Sequence, residues 1–146
     1  ATLTEAQFRA SDLNNASFRR AALASARFDG CKLTGADLSE AGTLGASFEE
    51  TLLIAARLPG LSFRKTRLLR LDFAQADLRK ADFRDAVFDE CSLRDASLAG
   101  ARFEGADLRG ADLGGLRLGD AALFKGATIS RQQAGQMLSE LGLQVR

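Results

Sequence analysis

Ala76-Asp77-Leu78-Arg79-Lys80, Ala81-Asp82-Phe83-Arg84-Asp85 and Ala86-Val87-Phe88-Asp89-Glu90 follow one another without a gap and set a period of five residues. Extended in both directions, the period places a Leu or Phe at every fifth position from Leu3 to Leu123, with Thr43 as the one exception among 25 centres. Nine of the ten Phe residues are centres; Phe124 alone is not. The position two before each centre is Ala in 17 of 25 cases, so most bulky side chains have a small companion that leaves them room. The departures are Ser11, Cys31, Thr51, Leu61, Thr66, Leu71, Cys91 and Leu116.

On a helix, at about 100° per residue, such centres would step round by roughly 140° and form no stripe. A flat strand fails as well, because an odd repeat sends successive centres to opposite faces. A bend in every pentad resolves both: the small residue and the centre point inward from a short extended piece, and the other three residues face solvent. Bent pentads stacked in coils pair their backbones laterally at about 4.8 Å. Spacing alone leaves the number of walls per coil open.

Ala36-Asp37-Leu38-Ser39-Glu40, Ala76-Asp77-Leu78-Arg79-Lys80 and Ala106-Asp107-Leu108-Arg109-Gly110 resemble the A(D/N)LXX motif of the pentapeptide-repeat family, and the match runs in one phase from residue 1 to about 125. The resemblance implies an all-β fold: a right-handed quadrilateral β-helix, a solenoid of about six coils with four pentads in each, followed by a short C-terminal α-helix. The β-helix is then expected over 1–125, and a capping or dimerisation helix and tail over 126–146. The four walls are named below by their first centres, Leu3, Phe8, Leu13 and Phe18. With four walls, residues 20 apart stack, which puts Phe8, Phe28 and Phe48 in one ladder and Phe63, Phe83 and Phe103 in another on the adjacent wall. Each buried ring contributes roughly 1.5–3 kcal/mol. Cys31 and Cys91 fall on the same wall three coils apart, about 14 Å, beyond the roughly 7 Å between Cα atoms that a disulfide tolerates.

The pattern is loosest between Thr51 and Leu71, where Pro59-Gly60 also sits, and a kink or bulge is expected there. Thr43-Leu44 is a lesser irregularity before it, and Leu52, Ile54 and Leu69 fall at outward positions nearby. The same region carries the candidate partner surface, a basic belt of Arg57, Arg64, Lys65, Arg67, Arg70, Arg79 and Lys80, which would attract an acidic partner. Further on, Ser130-Arg131-Gln132-Gln133 reads as a capping box, and Ala134, Met137, Leu138 and Leu141 predict an amphipathic helix over 131–141. This ending resembles the C-terminal helix and tail of Qnr-type quinolone-resistance proteins. That resemblance implies a two-fold homodimer with contacts at Met137, Leu138, Leu141, Leu143 and Val145.

Catalytic residue types are sparse. There is no His, which removes Ser-His-Asp and Cys-His arrangements and the commonest metal ligand. Asp12, Asp37, Asp72, Asp77, Asp82, Asp107 and Asp112 directly precede centres, and this repetition assigns them to the turns rather than to an acid–base pair. No glycine-rich stretch ends in Gly-Lys-Ser/Thr. An enzyme is therefore not expected, nor a cofactor or a metal. Twenty basic against 19 acidic residues give no global field of either sign. No apolar run approaches the roughly 20 residues needed to span a bilayer, so a cytoplasmic protein without membrane contact is expected. Direct nucleic-acid binding is not, because nearly every Phe points inward and there is no Tyr or Trp to stack on bases.

The leading reading is a non-enzymatic protein-binding or scaffolding rod. The alternative implied by the resemblance is a DNA-mimic modulator of the type II topoisomerases DNA gyrase and topoisomerase IV. Outward charge sums to +1 on the Leu3 wall, −1 on the Phe8 wall, −2 on the Leu13 wall and +2 on the Phe18 wall, so none carries a phosphate-like stripe.

Overall fold

Almost every pentad through Gly115 closes on a left-handed corner. The structure, a computed structural model, describes residues 2–146 apart from the side chain of Leu118. The residue two after each centre has positive φ from Glu5 (62°) to Gly115 (80°), with Gly110 as the exception. Fifteen of these corners are not glycine, and each such conformation costs about 1–2 kcal/mol that the surrounding ladder bonds offset. On the Leu3, Leu13 and Phe18 walls the corner is a hydrogen-bonded turn, as in Ala36 N–H to Leu33 carbonyl and Ala76 N–H to Phe73 carbonyl, both 3.0 Å. Positive φ at the third residue is what a type II turn demands.

Pro59-Gly60 fits that turn. Pro59 takes a position whose N–H has no part in the ladder, Gly60 takes the corner at φ 72°, and the pentads run on in phase on both sides. The turn at the proline is thus regular, and the irregularity expected between Thr51 and Leu71 is in the ladder beside it. The irregularity lies on the Leu3 wall and is described with the candidate site.

Coils pair in parallel at an offset of 20 residues, which makes four walls. β1 (Gln7–Arg9), β2 (Arg27–Asp29), β3 (Ser47–Glu49), β4 (Arg67–Leu69) and β5 (Val87–Asp89) form one parallel sheet in that order along the Phe8 wall. β6 (Cys91–Ser92) pairs with β7 (Ala111–Asp112) on the Leu13 wall. Single bridges such as Asp37↔Arg57↔Asp77 and Ser62↔Asp82↔Arg102 build the other two walls. The rod makes about five turns, and the sixth expected from the repeat count gives way to the cap. Inside, Phe28 stacks between Phe8 and Phe48 at 4.9 Å on each side, and Phe83 between Phe63 (5.2 Å) and Phe103 (5.1 Å). Leu3, Phe8 and Leu13 in the first coil are only half-buried.

The corners that follow the Phe8 wall differ, and this explains most departures from Ala on the neighbouring wall. From Phe8 to Phe88 these corners lack the turn hydrogen bond among the described residues. The next small position supplies a side-chain donor instead. Ser11 donates to Arg9 carbonyl at 2.9 Å, Cys31 to Phe8 carbonyl at 3.2 Å, Thr51 to Glu49 carbonyl at 2.8 Å and Cys91 to Leu68 carbonyl at 3.2 Å. Where the turn bond returns, from Ala111 N–H to Leu108 carbonyl at 3.0 Å, the small residue is Ala again. Both cysteines are buried thiols, and burial pushes the Cys91 thiol up, away from reactivity. Thr51→Val keeps the shape but removes a fully buried hydroxyl. It is expected to cost about 1 kcal/mol, read as a lower urea midpoint; an unchanged midpoint would mean that the hydroxyl contributes nothing.

All seven pre-centre aspartates accept the backbone N–H two residues on, at 2.9–3.2 Å, as Asx turns. Where Arg follows the centre, its guanidinium also grips the same carboxylate, as in Arg79–Asp77, Arg84–Asp82 and Arg109–Asp107. These guanidinium groups hold Asp77, Asp82 and Asp107 below the usual carboxylate range, and hydrogen bonds from Ser39 do the same for Asp37. A depressed folded pKa contributes stability that is fully present above the unfolded value of about 3.9 and is lost as pH falls through the folded value. The urea midpoint is therefore expected to fall as pH drops below the unfolded carboxylate value of about 3.9, and less so in the Asp77→Asn, Asp82→Asn, Asp107→Asn triple variant. An equal acid response in both proteins would discount the turn carboxylates.

The repeat slips by one residue before the cap. Ala122-Leu123-Phe124-Lys125-Gly126 and Ala127-Thr128-Ile129-Ser130-Arg131 keep the small-to-centre spacing in the shifted phase. Phe124, not Leu123, continues the inner ladder, with its ring 4.8 Å from Phe103. Ala127 N–H closes the turn on Phe124 carbonyl at 2.9 Å, and Thr128 pairs with Asp107. A 3-10 helix, Leu118–Phe124, takes up the extra residue. Lateral pairing therefore continues to Thr128, past the expected boundary at residue 125. The helix α1 (Arg131–Glu140) starts at the Ser130–Gln133 capping box. Gln133 also donates to Leu108 and Ala111 carbonyls at 2.6 and 2.8 Å, and Glu140 accepts from Gly115 N–H at 3.1 Å, so the helix closes part of the last coil.

Candidate functional site

With the interior occupied by side chains, the chemistry available to a partner lies on the walls and at the ends. The basic residues of the middle coils do not form one belt. Arg67 and Arg70 stand on the Phe8 wall, Arg57, Arg79 and Lys80 on the Phe18 wall, and Arg64 and Lys65 on the Leu3 wall. Arg67 pairs with Asp89 at 2.7 Å, and Arg79 with Asp77 at 2.7 Å. Arg70 reaches Glu50 at 2.6 Å and Glu90 at 2.8 Å, and so ties three coils together. Exposed pairs of this kind add little to stability, but they neutralise the charge offered to a partner. Arg57, Arg64, Lys65 and Lys80 make no ion pair among the described residues. The outward apolar residues of this region are likewise spread out: Leu52 and Ile54 are on the Leu13 wall, Leu69 is in β4, and Leu44, 87% exposed, is on the Leu3 wall.

The ladder opens between the third and fourth coils. Elsewhere on the Leu3 wall, Leu23 N–H bonds to Gly42 carbonyl at 2.7 Å and Phe63 N–H to Asp82 carbonyl at 2.7 Å. The N–H groups of Glu40, Thr43, Gly45, Ser62 and Arg67 occupy equivalent ladder positions, yet have no hydrogen-bond partner among the described residues. β3 and β4 retain the single pair Glu49↔Leu69, where their neighbours share three. A Cβ on Gly60 would meet nothing within 4 Å, whereas one on Gly100 would touch Lys80. Thr66, at an inward position, is exposed, and Ala41, Thr43 and Ala46 are half-buried. The opening is bounded by Arg57 N–H to Ala36 carbonyl at 2.8 Å on one side and Glu50 N–H to Leu69 carbonyl at 3.0 Å on the other. Its signal in the sequence was Thr43, the one centre too small to fill the axis.

At the C-terminal end, Met137, Leu138 and Leu141 meet Leu116, Ala121 and Ile129 in an apolar groove of about 200 Å³. Leu138, Leu141, Leu143 and Val145 are exposed, Leu143 at 54%. The tail folds back so that Val145 lies beside Gly135. No residue of α1 is buried. Among the described residues no cluster of His, Cys, Asp and Glu could hold a metal ion, and no helix is long and apolar enough to cross a membrane.

The family model described as pentapeptide repeats (8 copies) matches residues 1–39, 46–85, 76–115 and 86–123. The chain belongs to the pentapeptide-repeat family. The internal stretch left out of those matches, residues 40–45, is one rim of the opening. Two solved structures of trypsin-treated variants of QnrB1, described as a plasmid-mediated fluoroquinolone resistance protein, share the fold of this pentapeptide-repeat protein. One superposes with a TM-score of 0.81 and the other with 0.77; both are 24% identical, covering 99% of this chain and 70% of QnrB1. No curated protein sequence matches.

Proposed function

We propose that this pentapeptide-repeat protein is a non-catalytic rod that binds or spaces other proteins. One observation carries the reading: apart from the opening at Thr43, columns of Leu, Phe and Ala fill the axis from Phe18 to Leu113, so recognition is left to the outer surface. The rod works as a homodimer in the cytoplasm. The exposed Leu138, Leu141, Leu143 and Val145 support two-fold contact through the C-terminal cap, since an apolar surface of this kind gains by being covered. Light scattering on a size-exclusion column is expected to give twice the 15.6 kDa chain mass; the single-chain mass at high concentration would remove the dimer.

A second reading is favoured by the fold shared with QnrB1: modulation of DNA gyrase or topoisomerase IV. The near-neutral walls weigh against it, because DNA mimicry calls for an acidic stripe. The test is a gyrase supercoiling assay with and without the protein and a quinolone. Neither inhibition nor rescue at micromolar protein is expected; either one would displace the scaffold reading. Affinity capture from the source cell then identifies the partner.

A further inference from the structure

From the opening between the third and fourth coils we infer that the Leu3 wall is a docking slot for a short extended segment of a partner protein that alternates acidic and apolar residues. This rests on the protein-binding reading above and names the surface and the partner chemistry.

A solenoid coil is a strand edge that its neighbour normally covers, and an uncovered edge is a template for another chain. Here Glu40, Thr43 and Gly45 present N–H groups from one rim, and Ser62 and Arg67 from the other, all without partners among the described residues. In the closed rungs, carbonyls alternate with these donors along each rim, as when Leu23 N–H meets Gly42 carbonyl and Gly42 N–H meets Ala21 carbonyl. An extended peptide has this alternation and pairs with it by strand addition. A nucleic-acid backbone, which offers acceptors without matching donors, does not.

Side chains select the segment. In an extended chain alternate residues face opposite ways. One set faces the interior uncovered at Thr43, Ala46 and Thr66, and the other faces outward beside Leu44, Arg64 and Lys65. The rims differ in charge: Gly42 to Ser47 carries none, whereas Arg64-Lys65-Thr66-Arg67 carries three cations. Arg67 is held by Asp89, which leaves Arg64 and Lys65 to attract carboxylates from the partner. The corner at Gly45 limits the flat run on this wall to a single pentad, so the bound segment is short.

Amide hydrogen exchange on the full chain is the first test. The amides of Thr43, Gly45 and Ser62 are expected to exchange at least tenfold faster than those of Leu23, Ser25 and Asp82, which hold the same ladder positions one coil away; equal protection would mean that no slot exists. The second test uses a fluorescent hexapeptide of alternating glutamate and valine, read by anisotropy. It is expected to bind saturably, to protect the Thr43 and Gly45 amides, and to weaken at least tenfold when its own amides are N-methylated, a change that leaves the protein untouched. A lysine–valine peptide, or the Arg64→Glu, Lys65→Glu double variant, should also weaken binding at least tenfold. No saturable binding, binding without amide protection, indifference to peptide charge, or displacement by a short DNA duplex would each overturn the slot. A cellular partner still captured by the double variant would remove the slot and leave the rod reading in place.

Discussion

Phe83→Ala is expected to cost about 3–5 kcal/mol, the range for truncating a fully buried aromatic. Phe83 is wholly inside, with the Phe63 and Phe103 rings stacked on either side and Phe73 edge-on at 6.1 Å. The void would lie on the axis between closed coils, where no neighbour can move in without breaking ladder bonds. Phe8→Ala, in the half-buried first coil, should cost about 1–2 kcal/mol. Because each coil touches only its neighbours, unfolding of the variant need not be two-state. The measurements are therefore a urea midpoint together with hydrogen exchange, which should show lost protection concentrated in the coils next to Phe83. Equal losses for Phe8→Ala and Phe83→Ala would overturn the picture of an axial core that carries the stability.

Gly110→Ala is expected to destabilise by about 1–3 kcal/mol, the usual cost of overpacking, and to loosen the cap. Gly110 is the one corner without positive φ, so conformational freedom is not why glycine is needed there. The reason is contact: a Cβ would run into the carbonyl oxygen of Phe88 and lie 3.1 Å from the Asp89 Cα. Backbone on both sides must then shift, including the Leu108 and Ala111 carbonyls that Gln133 holds. Gly60→Ala is the control. Its corner has φ 72° with nothing within 4 Å, so only the left-handed conformation is charged, about 1 kcal/mol. Faster exchange in α1 for Gly110→Ala but not for Gly60→Ala is the expected pattern; the reverse would refute the contact argument.

Most of the interior was legible before any coordinates, because a strict spacing of small and bulky residues leaves few ways to hide every Leu and Phe. The Phe ladders, the Asx role of the repeated aspartates and the capping box at Ser130 follow from residue type and position. The register slip at 122–131 was also legible, since Ala122–Phe124 and Ala127–Ile129 repeat the spacing one residue later. It was obscured because Leu123 happens to keep the older phase. The role of Thr51, Cys31 and Cys91 was harder to see. Each looks like a lapse from Ala until the missing turn bonds of the Phe8 wall show which carbonyls they serve.

The candidate site was the least legible part. Seven basic residues close together in sequence read as one belt, but the corners send them to three walls, neighbours 20–22 residues away neutralise Arg67 and Arg70, and Asp77 neutralises Arg79. The amino-acid sequence by itself determined which side chains face the axis, since the five-residue period is a local property that burial alone enforces. Thr43 marks the place in the sequence, but only the tertiary structure decided that the ladder stays open there. Whether Thr43 N–H finds a carbonyl depends on how two coils lie against each other 20 residues apart, and no local pattern contains that distance.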